Sequence, residues 1–425
     1  MSVQGRRVVV TGLGVVAPNG HGTAEFEAAL RAGKSGIRKH PKLEELGFRC
    51  HVGGAPEDIT PKLSAYFSDE DLLAMNESMR FGCMAAMDAW KDAGFKLPDR
   101  ADGTVNWDAG CVMGSGLSGM DTIGNTLVPL VNAGKVKRMG STLVEQTMAS
   151  AISAKLSGIL ALGNQVTSNS SACNTGTEAI QDCYQRIKYG LAERMVAGGS
   201  ESASPYVWSG FDAMRVLNSG SNDKPECASR PMSASAGGFI PGAGSGALVL
   251  ESLESAQKRG ARIYAEILAA EVNCGGHRNG GSMTAPNSTS VRRCIQSAVK
   301  SAGIAPSQID AINGHLTATM ADPLEVANWS AALEMGPGKL PLIHSTKSMI
   351  GHCLGAAGSI EAVAVVLELS KGFVHGSINC EDIHPDIEKF EKSVVRKTIE
   401  REVNIIAKAS FGFGDVNGCL IFKKW

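Results

Sequence analysis

Cys173 lies in the stretch Val166-Thr-Ser-Asn-Ser-Ser-Ala-Cys173-Asn-Thr-Gly-Thr-Glu-Ala-Ile180, where small and polar residues close one element and a new periodicity opens the next. Ala179, Ile180, Cys183, Tyr184 and Ile187 fall near i, i+4 and i+8, one apolar face of a helix that Gly190 ends. A thiol at the start of that helix faces unpaired N–H groups and the positive end of the macrodipole, which favour thiolate. Such a thiolate attacks acyl carbonyls. The same residues equally suit an inert cysteine packed among small side chains. His315 closes the run Ile309-Asp-Ala-Ile-Asn-Gly-His315, and His352 closes Leu342-Ile-His-Ser-Thr-Lys-Ser-Met-Ile-Gly-His352. Strand ends of a doubly wound sheet gather at one edge, so the thiol and the two imidazoles are expected to meet there. The other histidines, His21, His40, His51, His277, His344, His375 and His384, have no such setting.

The elements that must position these groups alternate between strand and helix. Arg7-Val-Val-Val-Thr-Gly-Leu-Gly-Val-Val16 reads as a buried strand bent at glycine, and its G-x-G lacks the third glycine of a dinucleotide fingerprint. Residues 24–32 read as a short helix, 33–68 as polar loop, Asn76–Ala93 as a helix packed on a sheet and 142–162 as a small-residue helix. Ala109–Gly119 is a strand leading into a glycine-rich turn, which either borders a pocket or simply packs. Met195–Glu201 is a strand, 205–230 is irregular, and Gly246–Glu251 opens a helix of alternating charge that runs to Lys258. After a break near Ala261 the pattern resumes, with a glycine-rich loop at 274–281, an amphipathic helix at about 287–302, and the short strands before His315 and His352. An almost wholly apolar helix at Ala356–Leu369 and a final strand–turn–strand at Ile405–Phe422 complete it. This alternation in both halves predicts an α/β fold of two similar units.

Composition narrows the function. A chain of 425 residues exceeds one ordinary core, and 41 basic against 42 acidic side chains leave no basic block for nucleic acid or a membrane surface. The 11 cysteines are odd in number, scattered and without a C-x-x-C pair, which predicts reduced thiols and no metal. No apolar run approaches the roughly 18 residues of a membrane span, so the expectation is a soluble, cytoplasmic protein.

Ser171-Ala-Cys173 ahead of a helix, His315-Leu-Thr317-Ala-Thr319, Ser345-Thr-Lys347-Ser-Met-Ile-Gly-His352, Gly355-Ala-Ala-Gly-Ser-Ile-Glu361 and Ser410-Phe-Gly-Phe413-Gly occur in that order. Together they resemble the motif set of the β-ketoacyl-acyl carrier protein synthases of the elongating, Cys-His-His type, in the thiolase superfamily. The similarity runs from Arg7-Val-Val-Val-Thr-Gly to Leu420-Ile-Phe. The resemblance implies the thiolase fold, two pseudo-symmetric α/β halves in a layered α-β-α-β-α core. Residues 1–260 would carry the nucleophile and 261–425 both histidines. It implies a decarboxylative condensation with malonyl-acyl carrier protein, in fatty acid or specialised polyene or polyketide synthesis. Acyl carrier protein would be the partner, its phosphopantetheine the only prosthetic group involved. A homodimer is expected, and a heterodimer with a related subunit stays open.

By the same resemblance Cys173 is the nucleophile, the backbone N–H groups of Cys173 and Phe413 form the oxyanion hole, and His315 and His352 stabilise the enolate. Lys347 supports His352 and Glu361, Thr317 and Thr319 bind the pantetheine arm, Phe413 is a gate with Phe411 supporting it, and Leu117 lines the acyl pocket. A thiolase would need a second catalytic cysteine where Phe411 and Phe413 stand. A non-catalytic partner subunit, like a chain-length factor, would lack Cys173. Departures from the family pattern concentrate in Arg230-Pro-Met-Ser-Ala-Ser-Ala-Gly-Gly-Phe239 and Gly242-Ala-Gly244. Ser233, Ala236 and Gly237 stand where charged anchors are usual, so a looser loop and a pocket open to bulkier or more unsaturated chains are predicted. Asn174 and Leu316 also depart, and the segment from His315 to Asp322 and Glu325 is one residue short.

Overall fold

The computed structural model describes residues 5–425. Its first half contributes strands β1 (Val8–Ala17), β2 (Ala109–Gly114), β3 (Val166–Thr167), β4 (Arg194–Glu201) and β5 (Gly244–Ser252). The second half contributes β6 (Ala265–Cys274), β7 (Ala311–Asn313), β8 (Leu342–His344), β9 (Ile405–Gly412) and β10 (Val416–Lys424). They form one hydrogen-bonded row, β8-β7-β9-β10-β6-β1-β5-β4-β2-β3, with Gly20–His21 appended to β1. Counted outward from the middle, each half runs first, fifth, fourth, second, third. The strand directions repeat as well: β2 is parallel to β3 and β4, as β7 is to β8 and β9, while β5 and β10 are antiparallel to their neighbours. The halves join where Val8–Val10 of β1 pair antiparallel with Ala265–Ile267 of β6.

Six helices complete the layers that position the site: α1 (Glu77–Asp92), α2 (Ala151–Leu160), α3 (Thr175–Lys188), α4 (Ser288–Ala302), α5 (Asp322–Leu333) and α6 (Ala357–Lys371). The central core sets Ile180, Cys183 and Ile187 of α3 and Ile360, Val363 and Leu367 of α6 between Val10 and Leu248 on one side and Ile406 and Phe422 on the other. One outer core packs Met84 and Trp90 of α1 and Leu156 of α2 on Cys111, Val196 and Val249. The other packs Ile295 of α4 and Trp329 of α5 on Ile312, Ala407 and Ile421. The result is the five-layered α-β-α-β-α thiolase architecture. Strands covered on both faces read as unbroken apolar runs, and α6, buried from Ala357 to Leu369, is apolar all round for the same reason.

The central helices approach closely because both carry glycine at the crossing. A Cβ on Gly176 would lie 2.7 Å from Ser359 N, and one on Gly358 would lie 2.6 Å from Thr177 N. Three local expectations are corrected. The 142–162 segment is two helices, Leu143–Thr147 and α2, parted by an extended Met148. Gly246–Glu251 lies inside strand β5, buried on both faces, and only Leu253–Lys258, capped by Ser252, is helical. The 33–68 segment holds a ribbon in which Ile37–Lys39 pairs with Val52–Gly54.

Candidate active site

The chain turns sharply into α3 because Ala172 adopts a left-handed conformation (φ 49°), which puts Cys173 in a 3₁₀ turn directly ahead of the helix. Ser171 N donates to Thr175 Oγ1 at 2.8 Å and Thr175 Oγ1 to Ala172 O at 2.7 Å, fixing the turn. At the head of α6 the same device recurs, with Leu354 at φ 49° and a 3₁₀ turn over Leu354–Ala356. His315 stands two residues past β7, its loop held by Glu325, whose carboxylate accepts from His315 N (2.7 Å) and Leu316 N (2.8 Å). His352 is not at a strand end. It follows the short helix Lys347–Ile350 and is pinned by His352 N to Ile240 O (2.7 Å) and Gly242 N to His352 O (2.8 Å).

Sulfur and imidazole nitrogens of Cys173, His315 and His352 lie within 4.8 Å of one another, and the two imidazole rings meet edge to face with centroids 5.3 Å apart. All three line a cavity of about 480 Å³, whose other walls include Phe239, Phe411, Phe413, Met214 and Val216. Thr317 and Thr319 are on this wall too, their hydroxyls 3.0 Å apart. Asp322 holds their loop by accepting from the N–H groups of Thr317 (2.9 Å), Ala318 (3.1 Å) and Thr319 (3.4 Å). The segment from His315 to Asp322 thus closes properly, with Ala318 left-handed at φ 64°.

The resting thiol is not the thiolate its helix-start position suggests. Burial pushes Cys173 up to about 11, against the pull of the Phe413 N–H, the Lys347 charge and its own N–H. Desolvation outweighs the helix end here. Burial, reinforced by nearby Lys347 and Lys408, holds His315 and His352 well below the usual imidazole value, so both are neutral. His352 Nδ1 accepts from Leu354 N at 3.3 Å, which puts the ring proton on Nε2, and Nε2 has no partner among the described residues. Below the triad, Lys347 Nζ is paired with Glu361 Oε1 on α6. Burial pushes Glu325 up to about 7.

Leu117 does not line the cavity. It is 37% exposed on the turn after β2, its N–H on Glu201 Oε1 at 3.2 Å. The buried Glu201 carboxylate also takes the N–H groups of Gly116 (2.9 Å) and Gly355 (3.1 Å), tying that turn to the head of α6. Sequence reasoning missed Glu201, and it missed Lys408, a fully buried lysine 3.1 Å from Glu361 Oε2. Its signal was a lysine inside the apolar run of β9. A thiol with two imidazoles is a donor set that suits a borderline-soft divalent metal, and His344, Glu368 and His375 form a second buried group of harder ligands. That second cluster closes on itself: His344 Nδ1 is 3.2 Å from His375 Nε2, and His375 N donates to Glu368 Oε1 at 2.9 Å.

Residues 5–256 match the family model of the β-ketoacyl synthase N-terminal domain, and residues 264–381 match that of the C-terminal domain. The chain belongs to the β-ketoacyl synthase family. It is 35% identical over 423 residues to 3-oxoacyl-[acyl-carrier-protein] synthase 2 of Vibrio harveyi, covering 99% of each chain. It is 33% identical to the chloroplastic 3-oxoacyl-[acyl-carrier-protein] synthase I of Arabidopsis thaliana, covering 98% of this chain and 86% of that one. Among solved structures it resembles a type II polyketide ketosynthase in complex with its acyl carrier protein (TM-score 0.86, 29% identity, 99% and 100% covered). It also resembles the ishigamide ketosynthase/chain length factor (TM-score 0.88, 29% identity, 99% and 100% covered). This β-ketoacyl synthase is a condensing enzyme.

In the synthase the altered 230–239 loop is tied down by a different acid. Asp382 accepts from Arg230 Nη2 (3.0 Å), Ser235 N (3.0 Å) and Ser233 Oγ, while Met232 N donates to Asp322 Oδ2 at 2.9 Å. Gly238 N reaches Ala318 O at 3.1 Å, so the loop is bound to the histidine-bearing segment as well. Looseness from missing anchors is not what the geometry shows, because the carboxylate comes from the far side of the contact.

Proposed function

We propose that this β-ketoacyl synthase is a 3-oxoacyl-acyl carrier protein synthase with Cys173 as nucleophile and His315 and His352 as the donors that drive decarboxylation. The observation that carries this is the convergence of the three groups within 4.8 Å at an apolar cavity. Acyl transfer from carrier to Cys173 passes the thiol proton to the departing pantetheine sulfur, with the N–H groups of Phe413 and Cys173 receiving the tetrahedral oxyanion. Malonyl-carrier then follows along Thr317 and Thr319. Breaking its C–C bond releases carbon dioxide and leaves the electron pair as a thioester enolate. The Nε2–H of His352 and the neutral imidazole of His315 stabilise the enolate oxygen, a role that needs uncharged, proton-bearing rings. The enolate carbon attacks the acyl-Cys173 carbonyl, and collapse expels the Cys173 sulfur, which takes up a proton. The product is a 3-oxoacyl-carrier two carbons longer.

Lys347 acts through Glu361 and the histidines, and Phe413, with Phe411 beside it, gates the cavity. Residues 1–260 and 261–425 are the two functional halves, the first bringing the nucleophile and the second both histidines. The synthase works as a dimer, homodimeric or with a related subunit. Val128, Val131, Val136 and Val144 are each exposed, and a second subunit would cover this segment. No described helix is long and apolar enough to cross a membrane, and the proposed site of action is the cytoplasm. A non-catalytic partner subunit is the second reading, and the nucleophile at the cavity disfavours it. The mass of the product made from malonyl-carrier and a set of acyl-carrier primers tests both. A product 42 Da heavier than its primer is the mass of one ketide unit and supports catalysis, whereas primers returned unchanged support the partner reading.

A further inference from the structure

Lys408 lies on β9, inside the protein and 0% exposed, where a lone ammonium is costly. Alternation along β9 turns Ile406, Lys408 and Ser410 toward the central helices and Ala407 and Ala409 toward the outer core. Lys408 Nζ lies 3.1 Å from Glu361 Oε2 on α6 and 2.7 Å from Thr177 Oγ1, one turn along α3 from the nucleophile. It also bonds Ser410 Oγ, and β9 runs on from there to the Phe413 N–H that faces the Cys173 sulfur. The other oxygen of Glu361 is already taken by Lys347. One carboxylate therefore serves two ammoniums, and the cluster has one surplus positive charge beneath the reacting groups.

We propose that Lys408 is a positioning residue of the condensing reaction: as the second ammonium on Glu361 it supplies the surplus charge that holds the malonyl carboxylate, and then the enolate, over the histidines. This rests on the assignment of His315 and His352 to carbon dioxide loss. A Lys347–Glu361 pair alone would present no net charge, only a dipole, to a substrate that arrives as an anion and reacts through one. The charge is also titratable. Burial, followed by the opposing effects of Glu361 and Lys347, brings Lys408 down to about 8. The groups around it are Glu361 on α6, Lys347 on the short helix, Cys419 on β10, and the Thr177 and Ser410 hydroxyls. Beyond them lie neutral His315 and His352, and Glu325, which binds the backbone of His315. Lys408 therefore exchanges its proton just on the alkaline side of neutrality.

The test measures carbon dioxide release from malonyl-carrier, and separately acylation of Cys173 by intact mass, from about pH 6 to 10. The proteins are the wild type, Lys408→Met, Lys408→Arg, His315→Ala and His352→Ala. Wild-type release should fall as pH rises through about 8, where Lys408 loses its proton. Lys408→Met should lower release about 30-fold more than acylation and abolish that alkaline fall. The factor is the scale for one unit charge at about 8 Å with an effective dielectric of about 20. Lys408→Arg, whose charge does not titrate, should keep release into the alkaline range. An alkaline fall that persists in Lys408→Met, or a release and acylation lowered equally, assigns Lys408 to packing and overturns the proposal. Should neither variant fold, a wild-type profile flat from pH 7 to about 9 overturns it, and a fall confined to release upholds it. Normal release by the histidine variants would instead sink the underlying assignment, a result that the Lys408 data cannot imitate.

Discussion

Removing Asp382 should loosen the 230–239 loop without disturbing the layers beneath it. Asp382→Ala deletes the carboxylate that accepts from Ser233 Oγ, Ser235 N and Arg230 Nη2, leaving Arg230 with Glu381 at 2.9 Å and, through Nε, Ser235 Oγ at 2.9 Å. Two bonds from neutral donors contribute about 1 kcal/mol each. The Arg230 contact adds little, because the Asp382 side chain is 43% exposed and screening discounts the pair. The sum, about 2 kcal/mol, raises the open population of the loop about 30-fold. Hydrogen exchange read by mass spectrometry on the 230–239 peptide should lose protection by about that factor, while a peptide from α6 keeps its own. Unchanged exchange at 230–239, or an equal loss in α6, would refute the reasoning. The pH dependence has a definite sign. Asp382 is held well below the usual carboxylate value, because hydrogen bonds from Ser233, Ser235 and Arg230 outweigh the opposing effect of burial. Its contribution is therefore complete above the unfolded carboxylate pKa of about 4 and is lost only as pH falls through its depressed folded value.

Cys173→Ala should show no covalent adduct by intact mass after mixing with acyl-carrier. His315→Ala and His352→Ala should keep acylation while carbon dioxide release falls by about two orders of magnitude, the scale for loss of one oxyanion donor. Glu325, pushed up to about 7 by burial, binds its proton more tightly folded than unfolded. Stability should therefore decline as pH rises from about 4.5 to about 7, and Glu325→Gln should flatten that slope in thermal melts. Gly358→Ala places a Cβ 2.6 Å from Thr177 N and should cost about 1–3 kcal/mol in urea denaturation. If the Gly358→Ala midpoint matches wild type, the crossing of α3 and α6 has more slack than its geometry implies.

The residues that were legible in the sequence carry local signals. Cys173 announces itself by the small residues before a helical periodicity, and α6 by an apolar run too long for a strand. What was illegible depends on partners distant in sequence. Lys408 shows in the sequence only as a lysine within an apolar run, and its role rests on Glu361 and Thr177 closing on it, as that of Glu201 rests on the turns at Gly116 and Gly355. The 230–239 loop reads as stripped of anchors because its acid, Asp382, lies about 150 residues downstream. The thiolate reading failed through magnitude: the helix end favours ionisation, but full burial of Cys173 costs more. His352 was placed at a strand end because Leu342-Ile-His is a strand, though a helical turn intervenes. The alternation of strand and helix in both halves already marked two similar units, but the order in which their strands pair depends on partners distant in sequence and was not legible.

The shared central layer bears on how the chain is made. A ribosome delivers α3 well before α6, because 183 residues separate Lys188 from Lys371. At about 5–20 residues per second, the apolar face of α3 waits roughly 10–40 seconds for the helix that covers it. For the first part of that interval, until Cys274 is made, β1 also lacks its neighbour β6, so the nascent first half has a naked sheet margin beside a naked helix. Such an intermediate is a substrate for holding chaperones and for association with other nascent copies. Yield in a cell should thus respond to elongation rate across residues 189–371 more than to the stability of the finished fold.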